Sequence, residues 1–301
     1  MSLAGIINTH VLVGYAISEY GTEEQKQKYL PRLVPPDIRC ALSITEPDTG
    51  ADAQAIKTHA RRDGDDYIIN GQKMWITNGT QADWLCLLVR TSDEGGYSGM
   101  SQIIVPTATP GFSVGRKIEK MGNWSSDTAE LVFEDVRVPV SNTIGEVGRG
   151  FQQQMIQFLD ERLIGAYMAV ASMRKALDKT KDYLQQREAF GKPLLANQYL
   201  QYKLAELYAD VDVLEAYNRN CAERYLAGED VTKISTIAKL KAGRLQRVVA
   251  DTCVQFHGGM GYAEENWPAR YFRDSRLTSI GGGADEVMLR VLALLEGMGR
   301  K

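Results

Sequence analysis

The chain has 301 residues, of which 44% are hydrophobic and 24% are charged, and its formal net charge is −3. A chain of this length and composition can bury a sizeable core and predicts about two domains. The small negative charge argues against a nucleic acid as the partner. No run of about 20 apolar residues occurs, which argues against a membrane span.

The four cysteines and three histidines are scattered along the sequence. No cysteine pair has zinc-site spacing, and four cysteines are too few to staple a chain of this length. We therefore expect reduced thiols in a reducing compartment and no metal site. The N-terminal residues lack the basic start of a signal peptide, so secretion is not expected.

The beginning of the chain is predicted to be helical. Residues 3–31 carry an apolar stripe of roughly helical period. Thr22, followed by two glutamates, is typical of the N-cap and first turn of a second short helix. Pro31 and the proline pair at 35–36 are predicted to end this helical section, because proline interrupts helical hydrogen bonding.

Residues 41–139 have the character of short strands. Asn70-Gly71, between Tyr67–Ile69 and Met74–Thr77, predicts a type I′ hairpin, because Asn-Gly supplies the positive φ angles of that turn. Asp63-Gly64 predicts another turn. Further strands are predicted at Trp84–Arg90, Gln102–Val105, Phe112–Lys117 and Ala129–Val136. Short strands at this spacing are typical of an antiparallel sandwich or barrel.

From Phe151 onward the apolar residues recur at helical spacing. Four helices are predicted, with approximate bounds Gly150–Gln186, Asn197–Ala227, Thr232–His257 and Ala284–Gly297. Gly258-Gly259 suits the C-cap of the third helix. Long antiparallel helices joined by short links predict a bundle.

Helices and strands are segregated along the chain, which predicts the α+β class rather than an alternating α/β fold. The expected order is a remnant of an N-terminal helical domain at residues 1–38, then an antiparallel β-sandwich or barrel at 39–145. A C-terminal four-helix bundle follows at 146–301.

Taken singly, the motifs of this chain have ordinary structural explanations. Gly258-Gly259 follows a helix, whereas a dinucleotide-binding loop needs a strand before it. Trp75 and Thr77 are residue types that strands favour. Arg187, at the end of the long helix, is a favourable cation against the helix dipole.

Taken together and in chain order, five segments resemble the acyl-CoA dehydrogenase family. They are residues 43–47 (SITEP), 70–79 (NGQKMWITNG), 133–139 (FEDVRVP), 187–192 (REAFGK) and 255–262 (QFHGGMGY). The resemblance covers about residues 7–297. The family has a helical domain, a β domain and a four-helix bundle, in agreement with the predicted order.

The resemblance implies a flavin adenine dinucleotide (FAD) cofactor. The chemistry that it implies is removal of the α-proton of an acyl-CoA thioester by a carboxylate base, with transfer of the β-hydride to flavin N5. The thioester oxygen is polarised by a backbone N–H and by a hydroxyl of the flavin's ribityl chain. The electrons then pass to an electron-transfer flavoprotein.

The resemblance also assigns binding roles to residues from several parts of the chain. The flavin ring would contact a loop and a strand, represented by Leu42, Ile44, Thr45, Trp75, Ile76 and Thr77. The pyrophosphate and adenosine half would contact Arg187, Phe190, Gln198, Gln255, Gly258 and Gly259, and Glu286 completes the cofactor set. Substrate-binding roles are assigned to Ala51, Arg162 and Gly282.

The catalytic base of many family members has no counterpart at the equivalent position of this chain. Many members carry it as a glutamate in a Tyr-Glu-Gly-Thr segment before the last helix, where this chain has Gly282. A branch that includes isovaleryl-CoA and long-chain acyl-CoA dehydrogenases has glycine there and takes the carboxylate from the long helix, next to the family arginine. The resemblance therefore implies Glu161, which precedes Arg162. Asp160 is the adjacent competitor, but neighbouring helical residues point in different directions, so only one should reach the substrate.

The spacing along the long helix bears on assembly. Glu161 and Arg187 are 26 residues apart, or about 39 Å along a helix, which exceeds an extended FAD. They are therefore expected to serve different flavins, which predicts a homodimer with shared sites, often paired into a homotetramer in the family.

Three interpretations stay open at this point. The leading one is an acyl-CoA dehydrogenase of the bacterial cytoplasm or mitochondrial matrix, with a preference for branched or long acyl chains. The second is an oxidase that passes electrons to oxygen. The third is an inactive paralogue that acts as a binding or assembly partner, because the chain matches only the end of the family's N-terminal helices and has alanines at Ala51 and Ala284, where the family often has hydroxyl residues.

Overall fold

A computed structural model of the chain describes residues 2–33 and 38–299. Within these residues the chain forms two compact units. The sheet unit comprises Ser2–Lys120 and Trp124–Phe158, and the bundle unit comprises Met121–Asn123 and the described part of Leu159–Lys301. The three-domain boundaries expected from the sequence stay a prediction.

Two helices open the sheet unit, α1 at Ser2–Tyr20 and α2 at Glu23–Leu33. Thr22 caps α2, because Gln25 N donates to Thr22 Oγ1 at 3.2 Å and Thr22 N donates to Gln25 Oε1 at 3.1 Å. The predicted N-cap is thus confirmed. The prediction that Pro31 ends the helix was wrong: so close to the helix end, proline removes a single hydrogen bond and the last turn still forms. The proline pair at 35–36 lies outside the described residues.

The strands of the sheet unit form one mixed sheet. They are β1 (Cys40–Ser43), β2 (His59–Asp63), β3 (Asp66–Thr77), β4 (Trp84–Arg90), β5 (Met100–Pro106), β6 (Phe112–Lys117), β7 (Thr128–Pro139) and β8 (Thr143–Ile144). Their order is β6-β7-β3-β2-β4-β5-β8, with β1 beside β4. The α+β class is confirmed. The pairing is not wholly antiparallel, because β1 and β2 each run parallel to β4.

The hairpin predicted at Asn70-Gly71 is not formed. Strand β3 runs straight through this dipeptide, with a register shift against β7 between Ile69 and Gly71. Gly71 has φ +144°, and a Cβ there would lie 2.5 Å from Thr58 Oγ1, so glycine is needed for close packing. The turn between β2 and β3 is formed by Gly64, with φ +63°, and Asp65, so the turn predicted at Asp63-Gly64 is confirmed to within a residue.

The bundle unit contains most of the long helix α3 (Gly150–Gln186), whose first residues, up to Phe158, belong to the sheet unit. The later helices are α4 (Gln198–Leu226), α5 (Thr232–His257), α6 (Gly259–Tyr262), α7 (Trp267–Ser275) and α8 (Asp285–Leu295). Helix α5 packs against α4, α7 and α8. The four predicted helices are confirmed to within a few residues, whereas α6 and α7 were not predicted.

The cysteines divide evenly between the two units and are all free and buried. Cys40 and Cys86 lie under the helices of the sheet unit, and Cys221 and Cys253 lie in the bundle unit. Burial raises the pKa of Cys86 to about 12 and that of Cys253 to about 11. Among the described residues, no cluster of histidine, cysteine and acidic side chains could hold a metal ion. No described helix is both long and apolar enough to cross a bilayer.

Candidate active site

The sheet unit brings together the two segments assigned to the flavin ring. Met74 N donates to Thr45 O at 2.7 Å, and Lys73 Nζ donates to Ile44 O at 2.8 Å. These bonds hold the loop after β1 against the second half of β3. The residues assigned on that strand therefore lie beside Ile44 and Thr45.

A buried ion pair underlies this junction. Lys73 is fully buried, and its Nζ lies 2.9 Å from Glu46 Oε1, on a side chain that is only 6% exposed. Glu46 also accepts from Lys57 N at 2.6 Å and Thr58 N at 2.9 Å. Burial raises the pKa of Glu46, but the charge of Lys73 and these hydrogen bonds outweigh it, so the pKa is lowered overall. Sequence reasoning missed this pair, because lysine is ordinarily exposed.

The end of β3 carries side chains suited to a ring ligand. Trp75 has φ +64° in a register shift between Lys73 and Ile76, and its side chain is 53% exposed, while Ile76 beside it is buried. Within the described part of the chain, the partly exposed hydroxyls of Thr45 and Thr77 have no hydrogen-bond partner. An exposed indole and two free hydroxyls fit the requirements of a flavin ring.

The structure says less about Leu42, which is assigned to the flavin ring, and about Ala51, which is assigned to the substrate. Leu42 is partly buried on β1, where it pairs in register with Cys86 of β4. Ala51 is exposed in a bend that follows the loop. Neither position contradicts its assignment, and both assignments stay predictions.

In the bundle unit, Glu161 of α3 lies against residues 281–283, three consecutive glycines that we call the glycine segment and that precede α8. A Cβ placed on Gly282 would lie 3.4 Å from Glu161 Oε1 and 3.5 Å from its Cδ. The carboxylate of Glu161 therefore lies next to the point from which a side chain at position 282 would extend. This is the arrangement required if a carboxylate on the long helix replaces one before the last helix.

The surroundings of Glu161 change its acidity. Burial raises the pKa of this carboxyl group, and the positive charges of Arg162 and Lys239 partly oppose the rise. Arg162 is itself 8% exposed, and burial lowers its pKa. Its Nη1 lies 3.5 Å from Thr236 Oγ1, and its Nε has no partner within the described residues. A buried guanidinium with so few partners suits a polar or anionic ligand.

We expect Gly282→Ala to lower the free energy of unfolding by about 1–2 kcal/mol, because Gly282 has φ +64°, a conformation that costs a residue with a Cβ about that much. Urea denaturation measures the change. Gly281→Ala is the matched control, since a Cβ there would come no closer than 3.5 Å to Leu277 Cδ1; its effect should stay within about 0.5 kcal/mol. Equal losses in the two variants would contradict the strain argument.

The residues assigned to the adenosine half lie on two neighbouring parts of the bundle unit. Phe190 and Gly191, with φ +56° and +76°, form the tip of a small hairpin between α3 and α4, and the Phe190 side chain is fully exposed. Arg187 and Gln198 flank this hairpin and are exposed. The rings of Tyr199 and Phe256, 6.4 Å apart, place the start of α4 beside the end of α5.

There is unoccupied space beside the C-terminal end of α5. Gly258 has φ +57° and its N–H donates to Gln255 O at 3.1 Å, so its predicted role as a helix terminator is confirmed. A Cβ at Gly258 or Gly259 would meet no atom within 4 Å, so there is free space beside both glycines. Glu286 lies elsewhere, exposed in the first turn of α8, where its charge acts on Lys239.

Models of the N-terminal, middle and C-terminal domains of acyl-CoA dehydrogenase match residues 1–35, 41–136 and 148–294. The mitochondrial long-chain specific acyl-CoA dehydrogenase of Rattus norvegicus is 37% identical over 95% of this chain and 67% of its own length. The chain belongs to the acyl-CoA dehydrogenase family. This confirms the family that the sequence predicted. It also confirms the prediction of a flavoprotein oxidoreductase.

Two further proteins are similar to this chain. The acryloyl-CoA reductase (NADH) of Anaerotignum propionicum is 38% identical over 97% of this chain and 75% of its own. A glutaryl-CoA dehydrogenase from Mycobacterium smegmatis, solved in complex with FADH2, superposes with a TM-score of 0.92 and 32% identity, over 97% of this chain and 75% of that one.

Proposed function

We propose that this protein catalyses the FAD-dependent α,β-dehydrogenation of an acyl-CoA thioester, with Glu161 as the base and an electron-transfer flavoprotein as the electron acceptor. The proposal depends above all on one observation. The Glu161 carboxylate lies 3.4 Å from the position of a Cβ at Gly282, which supports the proposal because residue 282 itself has no side chain.

The acidity of Glu161 fits a general base. It must be ionised to accept the α-proton, yet basic enough to hold that proton afterwards, and a raised pKa meets the second requirement. The charges of Arg162 and Lys239 favour the ionised form beforehand. The guanidinium of Arg162, which makes one hydrogen bond within the described residues, would bind a polar group of the substrate.

Bound FAD would supply the acceptor for the β-hydride. Thr45 and Thr77 would donate hydrogen bonds to its ring system, and the strand that carries Trp75 and Ile76 would lie against one face of the ring. Arg187, Phe190, Gln198, Gln255, Gly258 and Gly259 would hold its pyrophosphate and adenosine half. The free space beside the two glycines and the exposed Phe190 ring support this assignment.

A homodimer is part of the proposal. Helix α3 is continuous from Glu161 to its last residue, Gln186. Arg187 is therefore about 39 Å from Glu161 along the helix axis, too far for both to serve one extended FAD. Two copies of the chain would each provide a base for one flavin and an adenosine site for the other.

The visible absorption spectrum of the purified protein tests the proposal. We expect a flavin spectrum that bleaches when a mixed set of straight- and branched-chain acyl-CoAs is added without oxygen. Adding the set members singly then identifies the acyl chain. A protein that cannot be reconstituted with FAD, or whose bound flavin no acyl-CoA reduces, would contradict it.

The fate of the electrons separates related activities. Peroxide formation under air would indicate an oxidase rather than a dehydrogenase. The relationship to a protein named acryloyl-CoA reductase (NADH) also gives reason to test the reverse direction. Flavin reduced by NADH and reoxidised by an enoyl-CoA would indicate a reductase that uses the same site.

A further inference from the structure

A buried lysine lies beside the proposed base, and the function described above uses only its charge, not its contact with the backbone. Lys239 of α5 is only 4% exposed. Its Nζ donates to the carbonyl oxygen of Gly283, the residue that follows Gly282. Lysines are rarely buried unless they are paired, because removing the charge from water is costly.

Lys239 connects the glycine segment to helix α5, on which the lysine lies. Gly283 has φ +100°, and a Cβ there would lie 2.6 Å from Met288 Cε, so its backbone packs closely on α8. The hydrogen bond from Lys239 fixes the same residue from the side of α5. Gly282 is thus held in a conformation in which its α-carbon faces the Glu161 carboxylate.

Several charges surround Lys239. Glu161 of α3 and both Asp285 and Glu286 of α8 favour its charged form, and Arg162 of α3 opposes it. Burial is the largest influence and lowers the pKa of Lys239 to about 8, so the side chain is mainly charged at neutral pH.

Two arginines on the same helix contact the acidic neighbour of Lys239 rather than the base. Arg244 Nε and Arg247 Nη1 lie 3.7 and 3.8 Å from Asp285 Oδ2. Arg162 and Lys239 are the two cations that act on Glu161 among the described residues.

We propose that Lys239 is a positioning residue for Glu161: it holds the glycine segment against the carboxylate through Gly283, and as a buried cation beside Glu161 it favours the ionised form of that carboxylate. This inference rests on the proposed role of Glu161 as the base. It adds a residue that acts through Glu161 without touching the substrate.

The charge is tested with Lys239→Gln, which keeps an N–H donor for Gly283 but has no charge. The rate of flavin reduction by a fixed acyl-CoA mixture is measured against pH. A base must be ionised, so the rate falls as the pH falls through the pKa of Glu161. Loss of the Lys239 charge removes an influence that lowers this pKa, so the midpoint should move up by about one pH unit. Below both midpoints the variant should be about tenfold slower.

A second measurement needs no turnover. The infrared band of the protonated Glu161 carboxyl group, identified by its loss in Glu161→Gln, is titrated without acyl-CoA. Its midpoint should shift upward by the same amount in Lys239→Gln and should return toward that of the wild type in Lys239→Arg. Lys241→Gln, an exposed lysine of the same helix, is the control and should leave the midpoint unchanged.

Lys239→Met removes the donor as well as the charge, and it should show the same shift together with a lower rate on the high-pH plateau. If Lys239→Gln does not fold, Lys239→Met decides the test. The positioning role is overturned if the Lys239 variants have the same midpoint as the wild type both in the pH dependence of the rate and in the infrared titration. The two proposals fail separately: an active Glu161→Gln refutes the base, whereas an inactive Glu161→Gln with unshifted Lys239 variants refutes only the role of Lys239.

Discussion

Glu161→Gln is expected to slow the reduction of bound flavin by acyl-CoA about 1,000-fold, within the range that a positioned general base contributes. Glutamine has nearly the same size and polarity but cannot take up a proton at neutral pH. Flavin binding should be unchanged, since the residues assigned to the cofactor lie elsewhere in the sequence. Anaerobic stopped-flow absorbance measures the rate, and the flavin-to-protein absorbance ratio measures occupancy.

Asp160→Asn is the matched control, because Asp160 precedes Glu161 on α3 and projects in another direction. We expect this variant to reduce its flavin at close to the wild-type rate. If the outcomes were reversed, Asp160 would be the base. Full activity in both single variants would show that the long helix α3 does not supply the base.

Lys73→Ala should lower the free energy of unfolding of the sheet unit by about 3–5 kcal/mol, the cost of removing one partner of a buried ion pair. The carboxylate of Glu46 would keep the backbone donors Lys57 N and Thr58 N but lose its charged partner. The carbonyl of Ile44 would also lose its donor, so the loop carrying Thr45 should loosen and flavin affinity should fall. Urea denaturation and FAD titration measure the two effects.

Lys57 provides the comparison. Its side chain pairs with Asp48 at 3.1 Å, and both side chains are about three-quarters exposed. Lys57→Ala should therefore cost less than about 1 kcal/mol. In Lys73→Met combined with Glu46→Gln, no buried charge is left unpaired, so the loss should be smaller than in Lys73→Ala. Similar losses of unfolding free energy in Lys73→Ala and Lys57→Ala would show that burial does not increase the contribution of the Lys73–Glu46 pair.

The sequence predicted those elements whose periodicity is long and regular. Helices α3 and α5 begin and end at the predicted residues, since each spans many turns of uniform apolar spacing. The segment at Trp267–Ser275 was not predicted as a helix, because it is short and follows a glycine-rich stretch. Asn266 before Trp267-Pro268 was a usable start signal, since proline is favoured in the first turn.

The Asn70-Gly71 prediction failed because one dipeptide can serve two geometries. Positive φ is useful in a hairpin, but here it serves a close approach of Gly71 to Thr58. The Asn70 amide meanwhile bonds both to the backbone N–H and to the carboxylate of Asp135, each at 2.9 Å. Only the three-dimensional pairing of β3 with β7 distinguishes the two.

For the site, the resemblance assigned residues to the ligands, but neither Lys73 nor Lys239 was among them. Both lysines are buried and act through other residues, and a lysine in a sequence gives no sign of burial. The proximity of Glu161 to Gly282 likewise required coordinates, because 121 positions separate them in the sequence.

The even division of the buried thiols gives each unit an internal reporter. An alkylating reagent attacks the thiolate, so a buried thiol with a raised pKa reacts only after local opening. Mass spectrometry of the labelled peptides would follow Cys40 and Cys86 for the sheet unit, and Cys221 and Cys253 for the bundle unit. The opening rates of the two units, with and without FAD, can thus be read separately in one sample of the unmodified chain.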